Sequence, residues 1–420
     1  MAEAEEMRIL FVSDHLGYAG GMVHGATTYF LQALPRLARR DNIALTCCFL
    51  RQRHEASERL EAGGVRPMFF NRHKWDMRAL GDLVRVVRQR RIEVIHAAGF
   101  KGMLLSRIAA RLTGARCVIH LHDAEQRKGP LRWIQKGLRG WTSAAIGVSD
   151  DTCAVAQHTF GISPERVHRL HNAMELSASR EVEASARAAV RDELSIPDSA
   201  PVIGMIGRFV PVKNHPDAIR ALALARRTVT DLMLVCVGDG PERARCERLA
   251  EQYGVRHAVR FAGHRSDVSR VLASIDALVM CSKSEGLPFA GIEALAAGVP
   301  IVAYRAGGLP ELVLHDVTGL LVPAGDVEGL ASSMTQMLTD HERRRRLSEG
   351  ARSHSETFDI DHHVECLVAL YRQVLGRAGR VRSRQSRAHD PVAVRAGLTT
   401  APVALSDVVT SAGQCLSLLM

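Results

Sequence analysis

The chain has 420 residues, 46% hydrophobic and 24% charged, proportions that exclude general disorder and, at this length, suggest two or three domains. No apolar run reaches the ~18 residues a membrane-spanning helix needs. The acidic start MAEAEEMR does not read as a secretory signal, and the nine cysteines contain no Cys-x-x-Cys pair. The expectation is therefore a reducing, cytoplasmic setting, not a zinc ribbon or a disulfide scaffold. The formal net charge of +10 suits a polyanion, a diphosphate or an anionic membrane surface.

In chain order, MRILFVSD reads as a buried strand, and a helix follows from about Ala26 to Arg40. NIALTCCFL, RIEVIHAAG, ARCVIHLHD and SAAIGVSD are further strands, separated by helical stretches such as MRALGDLVRVVRQRR and KGMLLSRIAARLTG. From about Leu176 to Pro201 the chain turns polar and reads as a link. The alternation then resumes with PVIGMIGRF, DLMLVCVGDG, VRFAGH, IDALVMCSK, GVPIVAYRA and GLLVPAGD as strands. Such alternation predicts an α/β protein with two Rossmann-like doubly wound domains in tandem, their parallel sheets facing each other across a cleft. The predicted boundaries are 1–178, 179–361, a last helix over 362–376, and a basic, disordered tail over 377–420 whose stretch RAGRVRSRQSR contains no acid.

Several chemistries lack their signatures. There is no Gly-x-x-x-x-Gly-Lys-Ser/Thr loop, no Gly-x-Gly-x-x-Gly after the first strand and no Gly-x-Ser-x-Gly elbow. Asp359-Ile360-Asp361 spells a D-x-D, but its place just before a helix predicts a cap instead of a metal site. His120 and His122 could chelate a metal only with a third ligand, and none is evident nearby.

Four segments carry candidate chemistry. In SKSEGLPFAGIEAL a strand gives way to a helix, with Glu285 on the loop and Glu293 one to two turns inside. Pro288 fits an early helical position, Gly286 and Gly291 permit close approach, and the N–H groups near Phe289, Ala290 and Gly291 favour an anion. Two acceptors flanking an anion hole suit a ligand with phosphate in the middle and hydroxyls at both ends, as in a sugar nucleotide; a capped surface helix with solvated glutamates is the competing reading. GRFVPVKN places Arg208 and Lys213 on one loop from which both could reach a diphosphate, where fixed cations would stabilise a departing phosphate; an ordinary surface pair is the competing reading. The paired Gly20 and Gly21, between the first strand and first helix, allow backbone approach to a ligand or form a plain turn. His122, at a strand end, can contact a sugar hydroxyl or be structural. Finally, RKGPLRWIQKGLRGW (127–141) gathers Lys128, Arg132, Lys136, Arg139, Trp133 and Trp141 around one helix. It either rests on anionic lipid or is a solvated helix that buries its tryptophans.

Taken together, these segments resemble glycosyltransferase family 4, retaining enzymes of the GT-B fold, over about residues 7–376. The match rests on the E-x7-E of Glu285 and Glu293 in SEGLPFAGIEALAAGVPIVA, on GRFVPVKN, VGDGPER and the GG loop, and on His122-Asp123 and GGLPELV…GLLVPAGD. The resemblance implies that Glu293 holds the ribose hydroxyls, Glu285 (with Gly286 and Leu287) contacts the donor sugar, Arg208 and Lys213 bind the diphosphate, and His122 lies near the donor sugar. It places the base near Gly238-Asp239-Gly240 and Gly263-His264, and sends the last helix back to the first domain. Where many members carry Asn-Gly-Val-Asp, this chain has His171-Asn172-Ala173-Met174-Glu175.

The implied reaction moves a sugar from a nucleotide diphosphate, UDP before GDP, to an acceptor hydroxyl with retention and with neither a cofactor nor an obligatory metal. The implied partners are the sugar-nucleotide donor and a small-molecule, glycan or lipid-linked acceptor, with peripheral contact at the inner membrane face as an option and no nucleic acid. A sugar-nucleotide epimerase of the same fold and a non-catalytic nucleotide-sugar-binding protein are the alternative readings.

Overall fold

The computed structural model describes residues 6–17, 25–73, 76–123, 130–180, 182–183 and 185–376. The tail expected to be disordered, 377–420, lies outside these residues, as do Gly20 and Gly21. The first sheet contains β1 (Met7–Ser13), β2 (Ile43–Phe49), β3 (Met68–Phe69), β4 (Val94–Ala98), β5 (Arg116–Leu121), β6 (Ala144–Gly147) and β7 (Val167–Arg169). The second contains β8 (Val202–Ile206), β9 (Met233–Val237), β10 (Val259–Gly263), β11 (Ala277–Met280), β12 (Ile301–Tyr304) and β13 (Gly319–Val322).

The strand orders are β3-β2-β1-β4-β5-β6-β7 and β10-β9-β8-β11-β12-β13. The pairings within both sheets are parallel. This is the two-domain Rossmann-like architecture that the alternation predicts. Its physical basis is visible in β1, where Met7, Ile9 and Phe11 enter one buried cluster while Leu10 and Val12 enter another on the opposite face. A strand covered on both sides needs apolar residues at both parities, so it reads as a continuous run. Two short strands, β3 and β7, escape the sequence reading: each has only two or three residues, and none of these is fully buried.

Between β7 and β8 lie two short helices, Ser177–Arg180 and Ala186–Glu193. The chain returns through a second crossing at Phe358, whose carbonyl accepts from the Met174 N–H at 3.0 Å, so the two passages run side by side. The last helix, Ile360–Val374, is capped by Asp359, whose carboxylate accepts from the N–H groups of Asp361 and His362 at 3.0 Å. The D-x-D is thus a helix cap. This helix packs on the first lobe: Arg36 bonds Asp361 at 3.1 Å, the Tyr29 hydroxyl bonds His363 Nε2 at 2.9 Å, and the Tyr371 hydroxyl bonds His96 Nδ1 at 2.5 Å.

Candidate active site

The strand order of the second sheet reverses between β8 and β11, and open α/β sheets take ligands outside the carboxyl ends of strands at such a switch point. The turn after β8 carries Arg208 and Lys213, and the turn after β11 carries Ser282, Glu285 and Gly286. Two hydrogen bonds splice these turns: the Lys283 N–H donates to the Val212 carbonyl at 2.8 Å, and Cys281 Sγ donates to the Asn214 carbonyl at 3.1 Å. Lys213 Nζ therefore reaches Glu285 Oε1 at 2.5 Å, and Ser282 Oγ donates to the same oxygen at 2.6 Å. The Lys213 and Glu285 side chains are 21% and 11% exposed, so this ion pair is sheltered yet open on one side. Arg208 stands exposed in the same turn as Lys213.

Pro288 is not inside the helix that follows. It is the N-cap, extended at ψ 132°, and the helix runs Phe289–Ala297. The Gly291 N–H, expected to be open to a ligand, donates instead to the Pro288 carbonyl at 3.1 Å. That leaves the N–H groups of Phe289 and Ala290, which bond no described residue, facing out of the first turn. Glu293 sits in the second turn, part-buried, and its carboxylate bonds no described residue. Burial pushes this carboxyl up to about 7, because nothing offsets the cost of charge there.

The turn after β9 lies over the turn after β8. The Phe209 N–H donates to the Asp239 carbonyl and the Gly207 N–H to the Val237 carbonyl, both at 2.9 Å. Gly238 has φ +127°, and a Cβ on it would stand 2.1 Å from the Gly207 carbonyl oxygen, so only glycine fits. Gly240 follows, and the exposed Asp239 carboxylate accepts from its N–H at 2.7 Å. The turn after β10 joins through the Gly238 N–H, which donates to the Gly263 carbonyl at 2.7 Å; His264 is exposed just beyond it.

The first lobe meets this edge closely. His122 follows β5, its ring stacked on His120 at 4.0 Å and lying 5.0 Å from that of Tyr29. A Cβ on Gly286 would stand 2.1 Å from the His122 carbonyl oxygen, so the close approach expected of Gly286 is taken by the protein's own backbone. Asn172, which is 3% exposed, bridges the lobes: its Oδ1 is 3.3 Å from His122 Nδ1 and its Nδ2 donates to the Leu287 carbonyl at 2.8 Å. A second bridge is Glu311, which accepts from the Asp150 N–H at 2.7 Å and bonds His171 Nε2 at 2.9 Å. Burial works to raise the Glu311 carboxyl, but the His171 and Asp150 hydrogen bonds, with Arg169, hold it below the usual range.

The structure thus joins Lys213, Glu285, Gly286 and Leu287 with His122, and stacks Gly238–Gly240 on the Arg208 turn. Glu293 and His264 lie on neighbouring elements and hydrogen-bond none of these residues. Sequence reasoning missed Ser282, Asn172 and Glu311 as parts of the site. In the sequence Asn172 stands out only as part of a departure from the family pattern, and no spacing marks it as a bridge. Among the described residues, no three His, Cys, Asp or Glu side chains are grouped to hold a metal ion. Nor is any helix among them long and apolar enough to cross a membrane.

Two family descriptions match the chain: "Glycosyltransferase Family 4" over residues 23–178 and "Glycosyl transferases group 1" over residues 186–354. The chain belongs to the family 4 glycosyltransferases. It is 34% identical over 187 residues to N-acetyl-alpha-D-glucosaminyl L-malate synthase of Bacillus anthracis, covering 44% of this chain and 49% of that protein. It is 34% identical over 193 residues to D-inositol 3-phosphate glycosyltransferase of Corynebacterium urealyticum, covering 44% of this chain and 46% of that protein. The chain thus spans about half the length of these curated relatives. Among solved structures, HepE of Anabaena in complex with UDP superposes with a TM-score of 0.75 at 21% identity, covering 87% of this chain and all of that one. This last likeness establishes the fold, which is the GT-B arrangement of two facing Rossmann-like domains.

Proposed function

We propose that the protein transfers a sugar from a nucleotide-diphosphate sugar, UDP before GDP, to an acceptor hydroxyl with retention of configuration and without an obligatory metal. The observation that carries this reading is the Lys213–Glu285 pair, set at the switch point of the second sheet between exposed Arg208 and the outward N–H groups of a helix start. Such an edge offers two cations and two backbone donors to a diphosphate, and acceptors on either side for hydroxyls. Glu285 then has a second task besides binding sugar: it fixes the Lys213 ammonium before any ligand arrives, so little reorganisation remains for the reaction.

In the proposed step the bond between the anomeric carbon and the β-phosphate oxygen breaks. The acceptor oxygen bonds to that carbon from the same face, and its proton passes to the departing phosphate oxygen. The products are a glycoside and a nucleoside diphosphate. Arg208 and Lys213 stabilise the charge that gathers on the diphosphate. His122, oriented by Asn172, faces the reacting sugar from the first lobe, and Glu293 accepts from the ribose hydroxyls. Support for UDP comes from the Anabaena neighbour, solved with UDP and with UDP-glucose. The acceptor class stays a small molecule, a glycan or a lipid-linked sugar, in a cytoplasmic setting.

A panel of sugar nucleotides scored by the rise in melting temperature tests the donor, since a ligand present at 100 times its Kd stabilises by about 2.7 kcal/mol. A UDP-sugar should give the largest shift and, with an acceptor, a glycoside product of unchanged anomeric configuration. An epimerised donor formed without any acceptor, or no shift from any sugar nucleotide, would overturn the reading.

A further inference from the structure

The crossover from β5 to β6 carries a surface segment, the helix Pro130–Gly137 followed by a tight turn at Arg139–Trp141. Its amphipathicity is inverted. Between Arg132 and Trp141 the one buried side chain is Gln135, and Leu138 is half-buried. Trp133 is 59% exposed, Ile134 45% and Trp141 39%. The alternative in which this helix buries its tryptophans is therefore incorrect. Underneath, both polar ends of the Gln135 amide are buried with no hydrogen-bond partner among the described residues, as are Arg107 Nη2 and Thr142 Oγ1. Among the described residues, Arg107, itself fully buried, hydrogen-bonds only to backbone carbonyls, at Met103 (3.0 Å) and Gln135 (3.2 Å). The inner contact of the segment is polar and incompletely bonded, while its large apolar side chains face outward. A water-facing helix normally has the reverse pattern.

The exposed rings are accompanied by positive charge. The Arg132 guanidinium lies 4.9 Å and the Lys136 ammonium 5.6 Å from the Trp133 ring centre. From Arg127 to Ser149 the sequence has the cations Arg127, Lys128, Arg132, Lys136 and Arg139 and no Asp or Glu.

We propose that this face docks on an anionic lipid surface. Tryptophan and isoleucine enter the headgroup boundary, and arginine and lysine beside them meet phosphate. A second copy of the same patch is a poor occupant, because it brings like charge to a chain already at +10. A nucleic acid would satisfy the cations and stack on the indoles, but it offers nothing to Ile134. The docking itself does not depend on the donor assignment. One consequence rests on the reading above: Asp123, beside His122, is seven residues from Pro130, so the acceptor edge of the cleft is tethered within about 25 Å of the docked helix, close enough to meet a lipid-linked acceptor.

The test is co-sedimentation of the full chain with vesicles of phosphatidylcholine alone or mixed with phosphatidylglycerol. The full chain should pellet with the anionic vesicles, less so at high salt. Arg132→Gln with Lys136→Gln should weaken partitioning by about 25-fold, at about fivefold per cation. Trp133→Ala with Ile134→Ala should also weaken it, while melting midpoints and the UDP-induced melting shift stay at wild-type values. Failure of the full chain to pellet would overturn the proposal. So would equal pelleting of the double variants and wild type, which would assign the contact to another region such as the arginine-rich tail. A polyuridine oligonucleotide that binds through these residues when vesicles do not would replace lipid by nucleic acid.

Discussion

The two sheets present opposite kinds of carboxyl edge. The edge of the second sheet is charged and organised around an ion pair, with Lys213 held against Glu285 and Arg208 exposed beside it. The corresponding region of the first lobe is built from packed rings: buried His96 and His120 stack with centroids 5.2 Å apart, His120 stacks on half-buried His122, and the last helix reaches in with His363 and Tyr371. Burial, followed by the neighbouring imidazoles, pushes His96 down to about 3 and His120 well below its usual value. Two sheets of almost the same strand order therefore differ in electrostatic design. One edge concentrates charge around the Lys213–Glu285 pair, and the other seats the last helix and packs against His122.

The largest expected effect breaks the charged edge. Lys213→Ala should lower turnover by about 10²–10³-fold, the usual loss when one fixed donor to a developing charge is removed. The melting midpoint should barely move, because a sheltered surface pair contributes little to stability. Initial rates and a thermal melt on the same sample check both halves; wild-type turnover would remove Lys213 from the site.

The next prediction sharpens the contrast by asking what the charged edge costs. The Glu293 carboxyl is held at about 7 against 4.5 for an ordinary glutamate. The unfolded chain loses this proton above pH 4.5 and the folded chain above pH 7, so the penalty grows across that window and is complete above it. Glu293→Gln should accordingly stabilise the ligand-free protein by about 3 kcal/mol at pH 8 and by nearly nothing at pH 4. It should also weaken donor binding. Urea midpoints at the two pH values measure the first effect, and the UDP melting shift the second.

The smallest effect tests the neutral edge. Burial takes His363 down to about 4, with the hydrogen bond to the His171 carbonyl opposing it. A histidine ordinarily titrating near 6.5 is then protonated in the unfolded chain well before the folded one. Its stabilisation is complete above pH 6.5 and is lost as pH falls towards 4, at roughly 2 kcal/mol between pH 6.5 and 5. Replacing it by glutamine should reduce the acid sensitivity of the urea midpoint by that amount; an unchanged pH slope would mean the imidazole is not buried neutral.

Much of this molecule is legible from local sequence. Strands buried on both faces become continuous apolar runs, so β1, β4, β6 and most strands of the second sheet can be read directly, and the longer β2 and the half-buried edge strand β10 still carry enough apolar residues to be read. The change from strand to glycine-proline loop to helix around Glu285 is likewise local, because caps and turns are set by residues within a few positions of one another. Asp359 announces itself as a cap for the same reason. β3 and β7 are not legible, since two or three residues hold too little pattern and their pairing depends on the sheet beside them.

What the tertiary structure alone decided are relations between distant residues. Asn172 becomes a bridge only because the Leu287 carbonyl arrives from 115 positions away. Gly286 is required by the His122 carbonyl of the other lobe, and His363 and Tyr371 join the stacked histidines of β4 and β5 only because the last helix has crossed back. Even the outward Trp133 of helix Pro130–Gly137 depended on which side chain the body of the protein accepted, and it took Gln135. Periodicity reports that a segment has two faces; the choice between them belongs to the surface it meets.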